Sequence, residues 1–599
     1  MPASFPLDHP YVGPRPYSWA DRTQFYGRKH ENRRVRDLWE GSRFLVLHGP
    51  RGCGKSSLLA AGVMPALNDS NVVLPIGRIS LGAGGVTPNH GIGNVHTFSL
   101  LSCWSPEQRP VEIQDMTLVD YFRNLPSSLD EYGESRTVLA AIDQFEDLFT
   151  AYPGRSADRV EFMDQLSTVM QEWPTLHVLV TLRDEFYADF LAYEDKLPRL
   201  ELARERLLPL SAYGAVQAIT GPLGGTERFL APGLVESFVA DLSSQRFSDG
   251  LGDSVTISTD RVDPIRLQTA CSTYWTSLNS DLHQIEAGHL PALSEPREEL
   301  LAWYRAAVAR VAGRLDLSAH LLLAWVSATF LAHDGRARCA LEGPAATRGM
   351  AHHVPAALER ENVLVAHHRL GSRWYGLAHA LLAEPVRVAL PGGCGDHPQT
   401  WRHLAAAEDA WSQGAAAAAR YQCTIGLKAA TEPMAVIDLH ALLGLMADVD
   451  SDLPTARSHY AEALNVAKST QDTARTVNLA LAMGRLERKA KQAASAIAWH
   501  QQAVDLGPSD PRAFRELGAS CYEAGDRREA LEAYNASLVL DARSFEALEA
   551  TTGLLIDLGC DREAVEQAAR ALSVAPDPVA AARIKELRLV AQRRISQGN

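Results

Sequence analysis

Over the first 190 residues, short runs of uniformly apolar residues alternate with longer amphipathic stretches. Phe44–Leu47 (FLVL), Val72–Ile79, Val138–Ile142 and Leu176–Thr181 read as buried strands, and helical stretches such as Asp158–Trp173 separate them. Alternating β and α implies an α/β fold with a parallel sheet, which places ligands at the carboxyl ends of the strands. From about residue 187 to 390 the strand signals fade and helical patterns dominate, with a surface excursion expected at 241–262. The break LPGGCGDHP at 390–398 then separates this region from an Ala-rich C-terminal third.

That last third repeats internally. Windows beginning at 477, 511 and 545 lie 34 residues apart. At equivalent places they carry Gly484, Gly518 and Thr552; Ala496, Ala530 and Ala564; Ala503, Ser537 and Ala571; and Pro508, Ala542 and Pro576. A window from 437 fits through Gly444, Ala456, Tyr460 and Ala463, followed by about six extra residues, and one from about 398 fits less well. The pattern resembles tetratricopeptide (TPR) repeats, in which small residues let paired helices approach closely. Stacked units then form an elongated concave surface for protein or peptide ligands. A plain helical bundle with fortuitous spacing is the alternative.

The chain has 599 residues, room for several cores, and a net charge of −14, which disfavours nonspecific nucleic-acid or anionic-membrane binding. Eight cysteines without a CxxC pair or zinc spacing suggest free thiols in a reducing compartment. The run Leu321–Ala332 is shorter than the ~18–20 residues of a spanning helix and no signal-peptide pattern opens the sequence, so a cytoplasmic location without membrane contact is expected.

Chemistry concentrates at the first strand. Gly49-Pro50-Arg51-Gly52-Cys53-Gly54-Lys55-Ser56 follows a strand, precedes a helix and satisfies GxxxxGK[ST]. Gly49, Arg51, Gly52, Cys53, Gly54, Lys55, Ser56 and Ser57 are the expected phosphate cradle for ATP/ADP, with Lys55 on the β/γ charge and Ser56 on Mg²⁺. Val138–Ile142 delivers Asp143, a second Mg²⁺ ligand. Glu146 or Asp147 can polarise the attacking water, Glu146 being preferred; alternatively both simply favour a first helical turn. Gln144, rather than an acid, follows Asp143, which argues against efficient hydrolysis. Arg183, after a third strand, stands where a γ-phosphate sensor would lie, or where a strand-end arginine forms a salt bridge. Cys53 at a helix N-terminus is either redox-sensitive or a small bystander. The glycines at 82–93 are not the first turn of a βαβ unit, so no dinucleotide site is expected there. His352-His353 and His367-His368 lack companions at metal-ligand spacing.

Together these pieces resemble the STAND class of signal-transduction NTPases, in particular the bacterial novel STAND family. Its opening segment corresponds to Pro10-Tyr11-Val12-Gly13-Pro14-Arg15-Pro16, and its nucleotide-edge motif to Tyr26, Gly27 and Arg28. GPRGCGKSS, IDQFEDLFT and TLRDEFY follow in family order. The resemblance implies that Arg28 borders the nucleotide, that Pro222 in ITGPL packs near the adenine, and that His379 in RWYGLAHALLAEPV reaches the diphosphate of bound ADP. Ala380 stands where an acid usually follows, and a satisfied packing histidine is the alternative for His379.

The implied architecture is a P-loop ATPase core at 1–190, a helical lid at 191–310, a winged-helix domain at 311–390 and a TPR array at 398–599. The implied function is an ATP-dependent switch, a slow ATPase at most, that forms homo-oligomers on activation in bacterial signalling or antiphage defence. Only about nine residues precede Pro10 and no effector unit is visible, so a separate effector protein is expected. Two alternatives stand beside it: a TPR scaffold with a nearly inert nucleotide site, and a winged-helix transcription regulator.

Overall fold

The computed structural model describes residues 9–67, 71–80, 92–125, 135–152, 155–197, 202–248, 254–279, 282–289, 296–332, 335, 337–369, 372–389, 399–412 and 415–597. Most of the glycine-rich segment 82–93 and the 390–398 break lie outside them.

The N-terminal region is built on a parallel sheet of β1 (Phe44–Gly49), β2 (Val72–Val73), β3 (Val138–Ile142), β4 (Leu176–Arg183) and β5 (Leu202–Arg206) in the order β2-β3-β4-β1-β5. Phe44, Leu45, Val46 and Leu47 are all fully buried because helices cover both faces of the central strand. On one face pack α1 (Lys29–Gly41) and the helix that follows the Gly49 loop; on the other pack α2 (Val95–Trp104) and α3 (Ser156–Glu172). Two findings differ from the sequence reading. The run Val72–Ile79 pairs as a strand only at Val72–Val73, since Pro75 has no N–H to donate, and it rejoins the sheet through a single bridge from Gly77 to Ile142. The sheet also extends past residue 190: Leu202–Arg206 (LARER) is its polar edge strand beside β1.

Next come α4 (Ala212–Thr220), α5 (Leu234–Ser243) and α6 (Pro264–Ser277), packed around Tyr11, Phe238, Tyr274 and Trp275. A third unit combines α7 (Pro296–Arg314), α8 (Ala319–Phe330) and α9 (His353–Arg360) with an antiparallel sheet of β6 (Ala340–Leu341), β7 (Leu364–Arg369) and β8 (Ser372–Leu377) in the order β6-β8-β7. Its first described helix starts at Pro296.

The C-terminal third is all helical: α10 (Gln399–Ser412), α11 (Ala416–Ala429), α12 (Pro433–Val449), α13 (Leu453–Ser469), α14 (Thr473–Lys489), α15 (Ala493–Leu506), α16 (Pro511–Ala524), α17 (Arg527–Leu540), α18 (Phe545–Asp557), α19 (Asp561–Val574) and α20 (Pro578–Gln597). The helices pair successively as the 34-residue repeat requires. Small residues sit where two helices meet: a Cβ on Gly444 would lie 2.5 Å from the ring of Tyr460, and one on Gly484 would lie 2.2 Å from His500. The array curls back onto the rest of the chain. Leu341 and Trp374 share a core with Leu404, Trp411 and Leu442, and Trp19 packs against the cluster of Phe545 and Ile584.

Candidate functional site

The site forms where β1, β3 and β4 end side by side. The loop after β1 turns through Gly52 (φ +81°) and Gly54 (φ +97°), left-handed conformations that glycine adopts without steric cost, and the helix starts at Lys55. Gly49 is fixed by close approach, since a Cβ there would lie 2.2 Å from the carbonyl oxygen of Leu207. Lys55 is buried, and its Nζ donates to the carbonyls of Gly49 (2.8 Å) and Pro50 (3.0 Å).

Asp143 is 3% exposed at the end of β3. Its Oδ1 accepts from Ser56 Oγ at 2.9 Å and Thr181 Oγ1 at 2.7 Å, and its Oδ2 pairs with Arg78 Nη2 at 3.2 Å. Thr181 Oγ1 in turn accepts from the backbone N–H of Gln144 (2.9 Å), which has left-handed backbone (φ +60°). Glu146 lies beneath the same edge, 3% exposed, with Oε1 2.8 Å from Arg183 Nε and Oε2 buried without a hydrogen-bond partner. Burial raises the Glu146 pKa against the attraction of Arg183. Asp147 is pushed up to about 6 by burial and by the neighbouring Glu146.

A serine hydroxyl beside a carboxylate supplies hard oxygen ligands of the kind Mg²⁺ takes, and a buried ammonium on a left-handed glycine loop suits a polyphosphate. These residues therefore fit a magnesium nucleotide.

The remaining sequence candidates fall in two groups. Arg51 and His379 come to the same side as Arg183: His379 is pushed down to about 4 by burial and by Arg51, Arg183 and Arg78, and its Nδ1 accepts from Leu381 N at 3.1 Å. Arg28, Cys53 and Ser57 instead support the loop. Arg28 is buried and donates to the Cys53 carbonyl (2.9 Å); Ser57 Oγ accepts from Tyr17 N (3.1 Å); Cys53 is 1% exposed, and burial raises its thiol pKa, which leaves it the small bystander rather than a reactive thiolate. Pro222 is buried in the turn Gly221–Gly225 beside Tyr26, and the cavity wall there is formed by Leu210 and Ala218.

Except for Gly49 and Pro222, these sequence candidates line one cavity of about 2370 Å³, whose other walls come from the unit around β7 and β8 and from the helical array, including Asn478, Arg512 and Glu546. Three contributors escape the sequence reading. Arg78 is set beside Asp143 by the Gly77–Ile142 bridge, and Thr181 by the parallel register of β3 and β4. Tyr17 belongs to the opening segment, where Arg15 pairs with Asp21 (2.6 Å) and donates to Asn362 Oδ1 (2.7 Å). Thr181 opens the TLRDEFY segment, but its hydroxyl acquires a partner only where the strand register sets it beside Asp143.

Residues 10–252 match the family model Novel STAND NTPase 1. The STAND NTPase match takes in the opening segment, the whole sheet, the Gly49–Ser57 loop, Asp143, Glu146, Arg183 and Pro222, and stops short of His379. No curated protein matches the chain. Among solved structures, it is similar to YrrB, a TPR protein with an unusual peptide-binding site (19% identity, 31% of this chain, 90% of that one, TM-score 0.25). It is also similar to MamA from Desulfovibrio magneticus RS-1 (14% identity, 30% and 97%, TM-score 0.26) and to the Sgt2 TPR domain from Aspergillus fumigatus (18%, 20% and 81%, TM-score 0.19). The TPR-like character of the C-terminal region rests on its own helix pairing and 34-residue period.

Proposed function

We propose that the protein is a nucleotide-controlled molecular switch whose helical array binds a protein or peptide partner. The observation that carries this reading is the 2.9 Å contact between Ser56 Oγ and Asp143, beside Lys55, inside a cavity walled by all the other units of the chain. A nucleotide there lies in the cavity that the units share, so exchanging ADP for ATP alters how they pack around it. Mg²⁺ held by Ser56 and Asp143 supplies charge neutralisation of the phosphates; Lys55, Arg51 and Arg183 supply the remaining positive charge. His379, on the same side as Arg51 and Arg183, is a further group placed to reach the nucleotide. The unit from Pro296 to Ala389, three helices and a three-stranded antiparallel sheet, is the winged-helix domain in this reading. In this reading the boundaries lie near 206 and 295, and the one at 398 stays where the sequence places it.

Glu146 is the group that activates water, and its pairing with Arg183 keeps turnover slow. Release of the closed form lets protomers associate and recruit a separate effector protein, and bacterial signalling or antiphage defence is the setting the STAND resemblance implies. The test is to denature the purified protein and identify what it releases. Stoichiometric ADP or ATP is expected; an empty site together with absent ATP binding overturns the switch and leaves a scaffold.

A further inference from the structure

Between β6 and α9 the chain makes a tight hairpin whose tip is Thr347-Arg348-Gly349-Met350. Thr347 and Met350 exchange both backbone hydrogen bonds (2.8 and 2.9 Å), and the two central residues are left-handed, Arg348 at φ +46° and Gly349 at φ +80°. That is the two-residue turn with positive φ at both centres, a conformation that strains an arginine. The array holds it there. Arg348 Nη2 lies 2.7 Å from Asp409 Oδ1 and its Nε pairs with Glu408, both on α10, and all three side chains are largely buried.

The neighbouring backbone is read in the manner of a bound peptide. Asn478 Nδ2 donates to the Ala345 carbonyl (2.9 Å), Arg475 Nη2 donates to the Gly349 carbonyl (3.0 Å), and Arg512 Nη1 is 3.2 Å from His352 Nδ1. Ala345, 1% exposed, is buried in the cluster of Ile437, Ala441, Leu479 and Met483. The reading residues are periodic: Asp438, Asn478, Arg512 and Glu546 occupy the second place of windows that begin at 437, 477, 511 and 545. Asp438 orients Arg475 through contacts of 3.0 and 3.2 Å, and Arg512 donates to Asn478 Oδ1 at 2.9 Å, so the residues that read the turn are themselves held in place by neighbours on the array. Beyond His352 the same stripe continues through Arg512 and Glu546 along the open cavity.

We propose that the concave face from α10 to α16 is a binding site for an arginine-tipped protein turn, and that residues 342–352 are its resident ligand, displaced when a partner presents a turn of the same chemistry. The acidic pair Glu408 and Asp409 selects the arginine, Asn478 and Arg475 select exposed backbone carbonyls, and the cluster that buries Ala345 takes an apolar side chain. The inference rests on the array being a protein-binding surface, as proposed above, but not on the nucleotide.

The probe is a dye-labelled, head-to-tail cyclised peptide of residues 342–352, titrated by anisotropy into the full-length chain and its Arg348→Ala variant. Binding at least tenfold tighter to Arg348→Ala than to wild type, and lost when Asn478→Ala is added, is expected, because the variant frees the face for the peptide. Equal binding to both chains, or to neither, overturns the proposal. If Arg348→Ala fails to fold, hydrogen exchange on the wild-type chain decides: excess cyclic peptide, but not a scrambled cycle, is expected to speed exchange at the Thr347 and Met350 amides, and unchanged exchange overturns it. Nucleotide released on denaturation is scored in the same samples, so a failure of the switch reading shows there and a failure of this one in the titration.

Discussion

Lys55 and Glu146 are both buried charges with a specific neighbour, and their chemistry separates them. The Lys55 ammonium donates to two carbonyls of its own loop, which are neutral partners that a phosphate outcompetes. Lys55→Ala is therefore expected to weaken ATP binding by about two orders of magnitude, the ~1.5–3 kcal/mol of a hydrogen bond to a charged group. Calorimetric titration checks this, and retained affinity removes the phosphate role. Glu146 faces Arg183 at 2.8 Å with its second oxygen unpartnered, so Glu146→Gln keeps the shape while removing the base. ATP affinity is expected to hold while single-turnover hydrolysis slows by roughly 10²–10⁴-fold, the usual contribution of a positioned general base. Unchanged hydrolysis confines Glu146 to orienting Arg183.

At the scale of elements, what the sequence makes legible depends on how a segment is buried. β3 is Val138–Ile142 in both readings because an apolar run covered on both faces leaves no ambiguity. β5 escapes because an edge strand sees solvent, and Leu202-Ala203-Arg204-Glu205-Arg206 has nothing apolar about it beyond its first two residues. The same distinction holds for the site. Lys55, Ser56 and Asp143 are announced by local motifs, whereas Arg78 and Thr181 join them only through sheet register, and the pairing of Arg348 with Glu408 spans 60 residues with no periodic trace. One such long-range element is testable in isolation. Asp438 and Arg475 are each 5% exposed and pair across α12 and α14. Asp438→Ala leaves the buried guanidinium with Asp472, at 2.7 Å, as its remaining acid and is expected to destabilise the array by about 1.5–3 kcal/mol, while Asp438→Leu combined with Arg475→Met is expected to cost less. Urea denaturation of the three chains compares them, and equal losses mean that the pair is not desolvated.

For the whole molecule, closure is held together by contacts that cross every unit. The opening segment touches the phosphate loop through Tyr17, the third unit through Arg15, and the array through Trp19 and Arg22, whose Nη2 donates to the Leu572 carbonyl. Deleting 399–599 uncovers Leu341 and Trp374, 0% and 1% exposed in the intact chain, so the truncated protein is expected to self-associate in light scattering unless both are made polar. The folded chain also carries a pH dependence. His96 in the sheet module, His352 at the hairpin and His500 in the array are each pushed down from 6.5 to about 4, chiefly by burial. Above pH 6.5 each is neutral whether folded or unfolded, and none costs stability. As pH falls below 6.5 the unfolded chain gains protons that the folded one refuses, so stability drops until the pH nears 4. At pH 5 the loss is on the order of 2 kcal/mol per histidine, and because the three residues lie in different units it is felt across the structure. The melting temperature is therefore expected to be level between pH 8 and 7 and to fall steeply from pH 6.5 to 4.5. Replacing His500, whose Nδ1 lies 2.8 Å from Ser520 Oγ, with Gln is expected to shallow that slope. A melting temperature that stays level to pH 5 means these rings accept protons in place, and closure then does not depend on their neutrality.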